Sequence, residues 1–230
     1  MQDIKLTRWA TYLVPGSIVV LSAWLLAKSI FKEMMDSTIS LPDITGIGLY
    51  VFFSLSYIVG IALWGVCYSK RMQILLRFQS HDRRLKLIKE FLRSEWRQIA
   101  YLDKMKKYFP SIPKEKECIE NLDYYDFEFI IASVHQTAST EMNDRIVQDR
   151  ETIGLLQTLI LGLYILSFSV FVLIIVEAID RSWYPAIGLF FVMLATLILI
   201  KMLYVHYERR QRYLVRDTLM AFLSMEVTQA

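Results

Sequence analysis

The 26 residues from Gly154 to Ile179, GLLQTLILGLYILSFSVFVLIIVEAI, contain no Lys, Arg, Asp or His and a single acid, Glu177, in the last turn. A bilayer core is crossed by about 20 consecutive apolar residues in a helix, and few soluble domains tolerate an apolar run this long. The stretch therefore reads as a membrane-spanning helix. Nothing upstream breaks it off, because no proline lies between Pro113 and Pro185 and no glycine between Gly65 and Gly154. A helix entering the bilayer at Gly154 can thus begin well outside it. Asn121 or Asp123 supplies a cap, and Phe127, Ile131, Val134, Ala138, Met142, Ile146 and Ile153 recur at helical spacing, predicting one helix from Phe127 to Ile179.

Three further apolar runs accompany it, in keeping with a chain that is 55% hydrophobic and only 21% charged. The first, Trp9 to Ile30, follows a polar leader at residues 1–8. It is longer than a signal-peptide core and has no convincing small-residue cleavage pattern, so it reads as an uncleaved signal anchor. Pro15 and Gly16 either kink this span or mark where its helix proper begins. The second runs from about Gly46 to Tyr68, after a polar loop containing Leu41-Pro42-Asp43. The fourth, Pro185 to Val205, follows a tight turn at Asp180-Arg181-Ser182-Trp183, with Lys201 placed to snorkel. Ser56 and Gly60, four residues apart, and Gly162 are small positions where another helix can approach closely.

Between the second and third runs, residues 69–153 are mostly polar. Leu85, Ile88, Leu92, Trp96, Ile99, Leu102 and Met105 predict an amphipathic helix with a break near Ser80, ended by Pro110 and Pro113. Its apolar face should meet that of the helix beginning at Phe127, forming an antiparallel hairpin. The tail, residues 206–230, continues the fourth span as an amphipathic helix with Leu203, Tyr207, Leu214, Thr218, Phe222 and Met225 near one side. The expected fold is all-α: a polytopic membrane protein with four transmembrane helices, a cytoplasmic helical hairpin and a C-terminal amphipathic helix. The expected parts are 1–68, 69–153, 154–205 and 206–230.

Orientation follows from charge. Of the 26 Lys and Arg, only Lys28, Lys32 and Arg181 fall on the side of the two short loops. By the positive-inside rule both termini and the central segment are cytoplasmic; the expected location is the cell's inner, or plasma, membrane. A net charge of +3 does not by itself indicate nucleic acid.

Signatures of catalysis are missing from the sequence. His81, His135 and His206 lack a second ligand at metal-like spacing, and there is no glycine-rich phosphate loop, GxSxG elbow or HExxH helix. Arg77 and His81 have too few intervening residues for the Arg-to-His motif of helical RNA-cleaving domains. The acids Glu115, Glu117, Glu120, Asp123, Asp126 and Glu128 have no glycine among them to form a cation loop and read as a solvated connection. Cys67 and Cys118 read as reduced thiols. No cofactor is expected. The basic run holding Arg83, Arg84, Lys86, Lys89, Arg93 and Arg97 suits anionic lipid headgroups, with a nucleotide or RNA, or a plainly solvated face, as the alternatives. Within the spans the polar side chains are mainly hydroxyls, including Ser17, Ser22, Ser54, Ser56, Ser167, Ser169 and Thr196, which argues against a coupled transporter. Such hydroxyls either line a pore between protomers or satisfy their own helix backbone.

Tyr12-Leu13-Val14-Pro15-Gly16 before a long apolar run, with Asn143-Asp144-Arg145-Ile146-Val147-Gln148-Asp149-Arg150 leading into the third span, gives the chain its resemblance to a family. The layout resembles small four-span membrane proteins encoded beside bacterial antiviral systems, including CRISPR-associated membrane accessories. That resemblance implies a non-enzymatic partner that oligomerises in the inner membrane and perturbs it when a cytoplasmic sensor is triggered, and it carries over no functional residues. The expected function is thus a self-associating membrane effector or accessory, with pore formation as one mode of action. The alternative is a membrane scaffold recruiting a soluble cytoplasmic partner, and a lipid-acting enzyme ranks third.

Overall fold

A computed structural model of the chain describes residues 2–30, 47–67, 69, 81–108, 130–134, 140–180 and 183–224. Every regular element among the described residues is helical: α1 (Gln2–Ile30), α2 (Ile47–Cys67), α3 (His81–Phe91), α4 (Glu95–Tyr108), α5 (Thr140–Ile179) and α6 (Trp183–Ser224). Four of these, α1, α2, α5 and α6, are long and apolar enough to cross a membrane. The chain is a membrane protein built as a helical bundle.

Two compact units divide the molecule. One comprises Met1–Leu76 with Ile153–Tyr207, the other Arg77–Thr152 with Glu208–Ala230. The α5 and α6 helices each contribute to both, α5 as 40 residues and α6 as 42 without a break. Pro185 falls in the first turn of α6, where its missing N–H would have had no intrahelical partner. Pro15, by contrast, lies inside α1, so it does not mark the start of that helix. Of the expected helix from Phe127, residues 130–134 are helical and α5 is described from Thr140; residues 127–129 and 135–139 lie outside the described residues.

In the first unit α1 and α2 run antiparallel at backbone contact. A Cβ added to Gly16 would overlap the Ser56 carbonyl oxygen, and one added to Gly60 would overlap the Tyr12 carbonyl oxygen. Only glycine allows either approach. Gly162 of α5 comes next to the same place, its notional Cβ 3.3 Å from the Pro15 carbonyl oxygen. Aromatic rings flank the crossing: Tyr12 meets Tyr57 edge-on at 5.7 Å and Trp64 at 6.2 Å, and Trp9 lies 5.2 Å from Tyr57. Further along, Leu63 and Cys67 of α2 pack on Leu161 of α5 with Val19 and Ile165 at the edge. The α5 helix is the inner one: 44% of its most apolar window is buried, against 17% for α2 and for α6. Outward-facing side chains such as Phe53, Ile58, Phe190, Phe191 and Ile198 form an apolar exterior suited to acyl chains.

The second unit departs from the sequence reading in its first arm and in what that arm packs on. The expected amphipathic helix through Leu85 and Met105 is interrupted at residues 92–94. The Leu92 N–H still bonds to the Ile88 carbonyl and the Arg93 N–H to the Glu90 carbonyl. The Ser94 carbonyl then accepts from the N–H groups of Arg97 and Gln98, which starts α4 afresh. Ser94 thus has the role of an N-cap residue, for which serine is well suited. Restarting the helix changes its phase. Ile88, Leu92 and Met105 are buried as expected, but Trp96 and Ile99 are turned outward, at 58% and 55% exposure, and Tyr101 is buried in their place. Tyr101 packs on Phe222 of α6 at 5.9 Å between ring centres, and the Lys104 ammonium donates to the Phe222 carbonyl at 3.2 Å. The C-terminal part of α6 is therefore a partner of the first arm, a pairing that the expected two-arm hairpin did not include. Of the expected stripe on α6, Tyr207, Leu214, Thr218 and Phe222 are buried and Leu203 is half-buried, with Gln211, Val215 and Leu219 buried beside them. Met225 lies outside the described residues, as do the polar loop around Pro42, the two prolines after α4, the acidic connection and Cys118.

The glycine contacts give a direct stability prediction. Replacing Gly60 by Ala forces α1 and α2 apart and should lower the thermal midpoint in detergent, by an overpacking cost of about 1–3 kcal/mol. Gly65 has open space at its Cβ position, so Gly65→Ala should be neutral or stabilising by up to about 1 kcal/mol, the helix-propensity gain. Equal midpoints for the two variants would contradict the backbone-contact crossing.

Candidate functional site

Chemistry in this chain is concentrated outside the apolar runs. At the α3 to α4 elbow, Leu85, Lys86, Lys89, Glu90 and Arg93 line an open groove of about 450 Å³. The charged members follow from helix geometry: positions 86, 89, 90 and 93 fall on one face, opposite the buried Ile88 and Leu92. Three cations against one carboxylate make the groove electropositive. The six basic residues singled out in sequence do not act alike. Lys86, Lys89 and Arg93 share this groove, whereas the side chains of Arg83 and Arg84 lie outside the described residues.

Arg97 has a different role. Its guanidinium lies 4.5 Å from the Phe91 ring centre and 5.2 Å from that of Trp96, and its Nη1 donates to the Phe91 carbonyl at 3.0 Å. That carbonyl is at the C-terminus of α3, where a cation also meets the negative end of the helix dipole. Arg97 therefore clamps the elbow from α4 back onto α3.

The other candidate positions are in the spans. Ser56, Gly60 and Gly162 gather around Tyr12, Pro15 and Gly16 at the α1 crossing described above. The Ser56 hydroxyl is buried with no hydrogen-bond partner among the described residues. Most of its counterparts are satisfied locally. Ser17, Ser22, Thr158, Ser169 and Thr196 each donate to the carbonyl four residues earlier in their own helix, at 2.6–3.1 Å. Those five hydroxyls serve the backbone, which favours local satisfaction over a hydroxyl-lined pore for these positions. Near the start of the apolar part of α5, Gln157 donates to the Tyr207 hydroxyl of α6 at 3.3 Å, both side chains being buried. Among the described residues no cluster of His, Cys, Asp and Glu is arranged to hold a metal ion.

An ion pair absent from the sequence reading stands just upstream of the apolar run. Asp149 lies on the same stripe of α5 as Ile146 and Ile153, and Arg210 of α6 donates to its carboxylate at 2.9 Å. Its signal in the sequence was an acid at a buried periodic position. Burial pushes the Asp149 carboxyl above its ordinary value; the hydrogen bond and charge of Arg210 pull the other way, and the charge of Asp217 adds to the rise. Neighbouring Arg145 makes only an exposed i, i+4 pair with Glu141, of the kind worth about 0.3–0.5 kcal/mol.

The raised Asp149 value has a definite pH consequence. The folded chain holds this proton more tightly than the unfolded one, so its contribution to stability is complete below the ordinary value of 3.8. It is lost as pH rises through the folded value. Compared with Asp149→Asn, which does not titrate, the wild type should lose thermal stability in detergent as pH is raised from about 4 into the neutral range. A difference between the two that stays constant, or moves the other way with pH, would contradict the burial of this carboxyl.

No protein-family model matches the chain, and neither a curated protein nor a solved structure shows significant similarity to it.

Proposed function

We propose that this protein is a non-enzymatic, self-associating membrane effector or accessory, embedded in the cell's inner membrane with both termini cytoplasmic and governed through its helical second unit. The observation that carries the reading is the continuity of α5 and α6, each a single helix with one part in the apolar unit and the other in the charged unit. An unbroken helix passes a displacement across the junction as a tilt or rotation, where a loop would absorb it. Gly154 is the one glycine near that point of α5, and it is buried within the helix. The charge bias of the short loops supports the orientation, and the broad apolar exteriors of α2 and α6 leave room for a second copy beside lipid. The likeness to four-span proteins beside antiviral systems adds a setting in which a membrane is perturbed on a trigger.

Two measurements test this. For orientation, a cysteine replacing the exposed Asp180 should react with a membrane-impermeant thiol reagent in intact cells, and one replacing the exposed Arg212 should not. The reverse pattern would overturn the topology. For activity, triggered overexpression of the wild type should collapse the membrane potential reported by a dye. Asn143→Pro or Gln148→Pro, each costing about 3 kcal/mol locally in a helix interior, should abolish that response while the protein stays inserted. Depolarisation unaltered by either proline would sink the continuous helix as the transmitting element. A wild type that leaves the potential intact and purifies as a monomer with a soluble protein would replace the effector by the scaffold.

A further inference from the structure

We propose that the α3 to α4 elbow is a docking element for anionic phospholipid surfaces, with Lys86, Lys89 and Arg93 holding headgroup phosphates and Trp96 and Ile99 entering the headgroup layer. This rests on the membrane-embedded reading above but on neither self-association nor conduction.

Three observations converge. The groove residues Lys86, Lys89 and Arg93 are exposed cations on one helical face, and Glu90 is the carboxylate among the described residues that line the groove with them. Trp96 and Ile99 are more than half exposed on a helix whose other face is well packed by Tyr101 and Met105, so their exposure is a fixed property of the phase set at Ser94. Arg97 ties the two helices together, stacking on Phe91 and Trp96 and bonding to the Phe91 carbonyl. The elbow therefore presents its cations and its tryptophan as one clamped piece. Cations and an exposed indole on one clamped elbow suit the interface of a bilayer, where the charge meets phosphate and the amphipathic ring settles at headgroup depth. A free phosphate would engage the groove but leave Trp96 and Ile99 in water, which is why the lipid surface is the occupant.

The magnitude is sufficient. A basic residue near an anionic leaflet raises the docked-to-free ratio about five-fold, so three together supply on the order of 100-fold.

The test uses the full chain with Cys67→Ala, Cys118→Ser and Asp103→Cys, the last carrying an environment-sensitive fluorophore on the exposed side of α4. It is reconstituted in vesicles of phosphatidylcholine alone or mixed with phosphatidylglycerol. The expected result is a blue-shifted emission, quenched by headgroup-labelled lipid, in the mixed vesicles only. It should be reversed by about 1 M salt, which shortens screening to roughly 3 Å. Neutralising Lys86→Gln, Lys89→Gln and Arg93→Gln together should lower the docked-to-free ratio on the order of 100-fold. Trp96→Ala should weaken the shift while the salt dependence is kept. Emission indifferent to phosphatidylglycerol, or docking unchanged in the triple variant, would overturn the proposal. So would a response to soluble glycerol phosphate in phosphatidylcholine vesicles, which would make the groove a site for a free phosphate, and so would a shift seen only on adding a soluble protein.

Discussion

Hydrocarbon offers no hydrogen bond to a peptide group, so every N–H and C=O within a bilayer must be paired inside the chain. That constraint explains why the apolar parts are uninterrupted helices and why so many hydroxyls within them turn back onto carbonyls of the preceding turn. It also sets what can hold the helices together. Water cannot drive apolar faces against one another inside lipid, and association falls to close packing and a few polar contacts. The α1 to α2 crossing shows the first means, with Gly16 and Gly60 each seated against the other helix's backbone. The Gln157 to Tyr207 bond shows the second.

In the second unit the balance is different. Its helices bury a mixed layer, in which Leu92, Val134, Ile146, Leu219 and Phe222 are closed to solvent alongside Asp149, Gln211 and Thr218. Among the described residues neither the Gln211 amide nor the Thr218 hydroxyl finds a hydrogen-bond partner. Buried polar groups left without a partner cost about 1–3 kcal/mol each, so this layer is less stable than an apolar one of the same size. Under the proposed function such a modest margin matters, because small differential interactions are then enough to shift the unit. The Asp149 to Arg210 pair is the charged element of that layer, and it joins α5 to α6.

Much of the architecture was legible in the sequence because long apolar runs and long amphipathic stripes are strong, redundant signals. The four apolar helices and the buried side of the tail at Tyr207, Leu214, Thr218 and Phe222 are of this kind. The break at residues 92–94 was not legible. Leu85 to Met105 fits an unbroken helical period, and one serine in a good position for a cap weighs little against it, yet the restart there exposes Trp96 and buries Tyr101. Contacts between distant segments were equally hidden. Ser56 and Gly60 stood out as a small pair, but that they meet Tyr12 and Gly16 depends on which helix lies alongside. Arg97 looked like one more cation in a basic run, and only the placement of Phe91 and Trp96 separates it from Lys86, Lys89 and Arg93.

The functional account depends on α5 remaining one helix where its charged part gives way to the apolar run at Gly154. Glycine is the weakest helix former after proline, with a cost of about 1 kcal/mol relative to alanine, so a joint would form here first. Burial of Gly154 and the bond from the Thr158 hydroxyl to its carbonyl at 3.1 Å oppose one. Amide hydrogen exchange on the full chain in lipid nanodiscs tests this most directly. Continuous slow exchange from Ile146 through Leu173, with no fast-exchanging gap across residues 150–157, is the result predicted. A fast-exchanging gap at Gly154 between two protected segments would show a hinge and contradict the account.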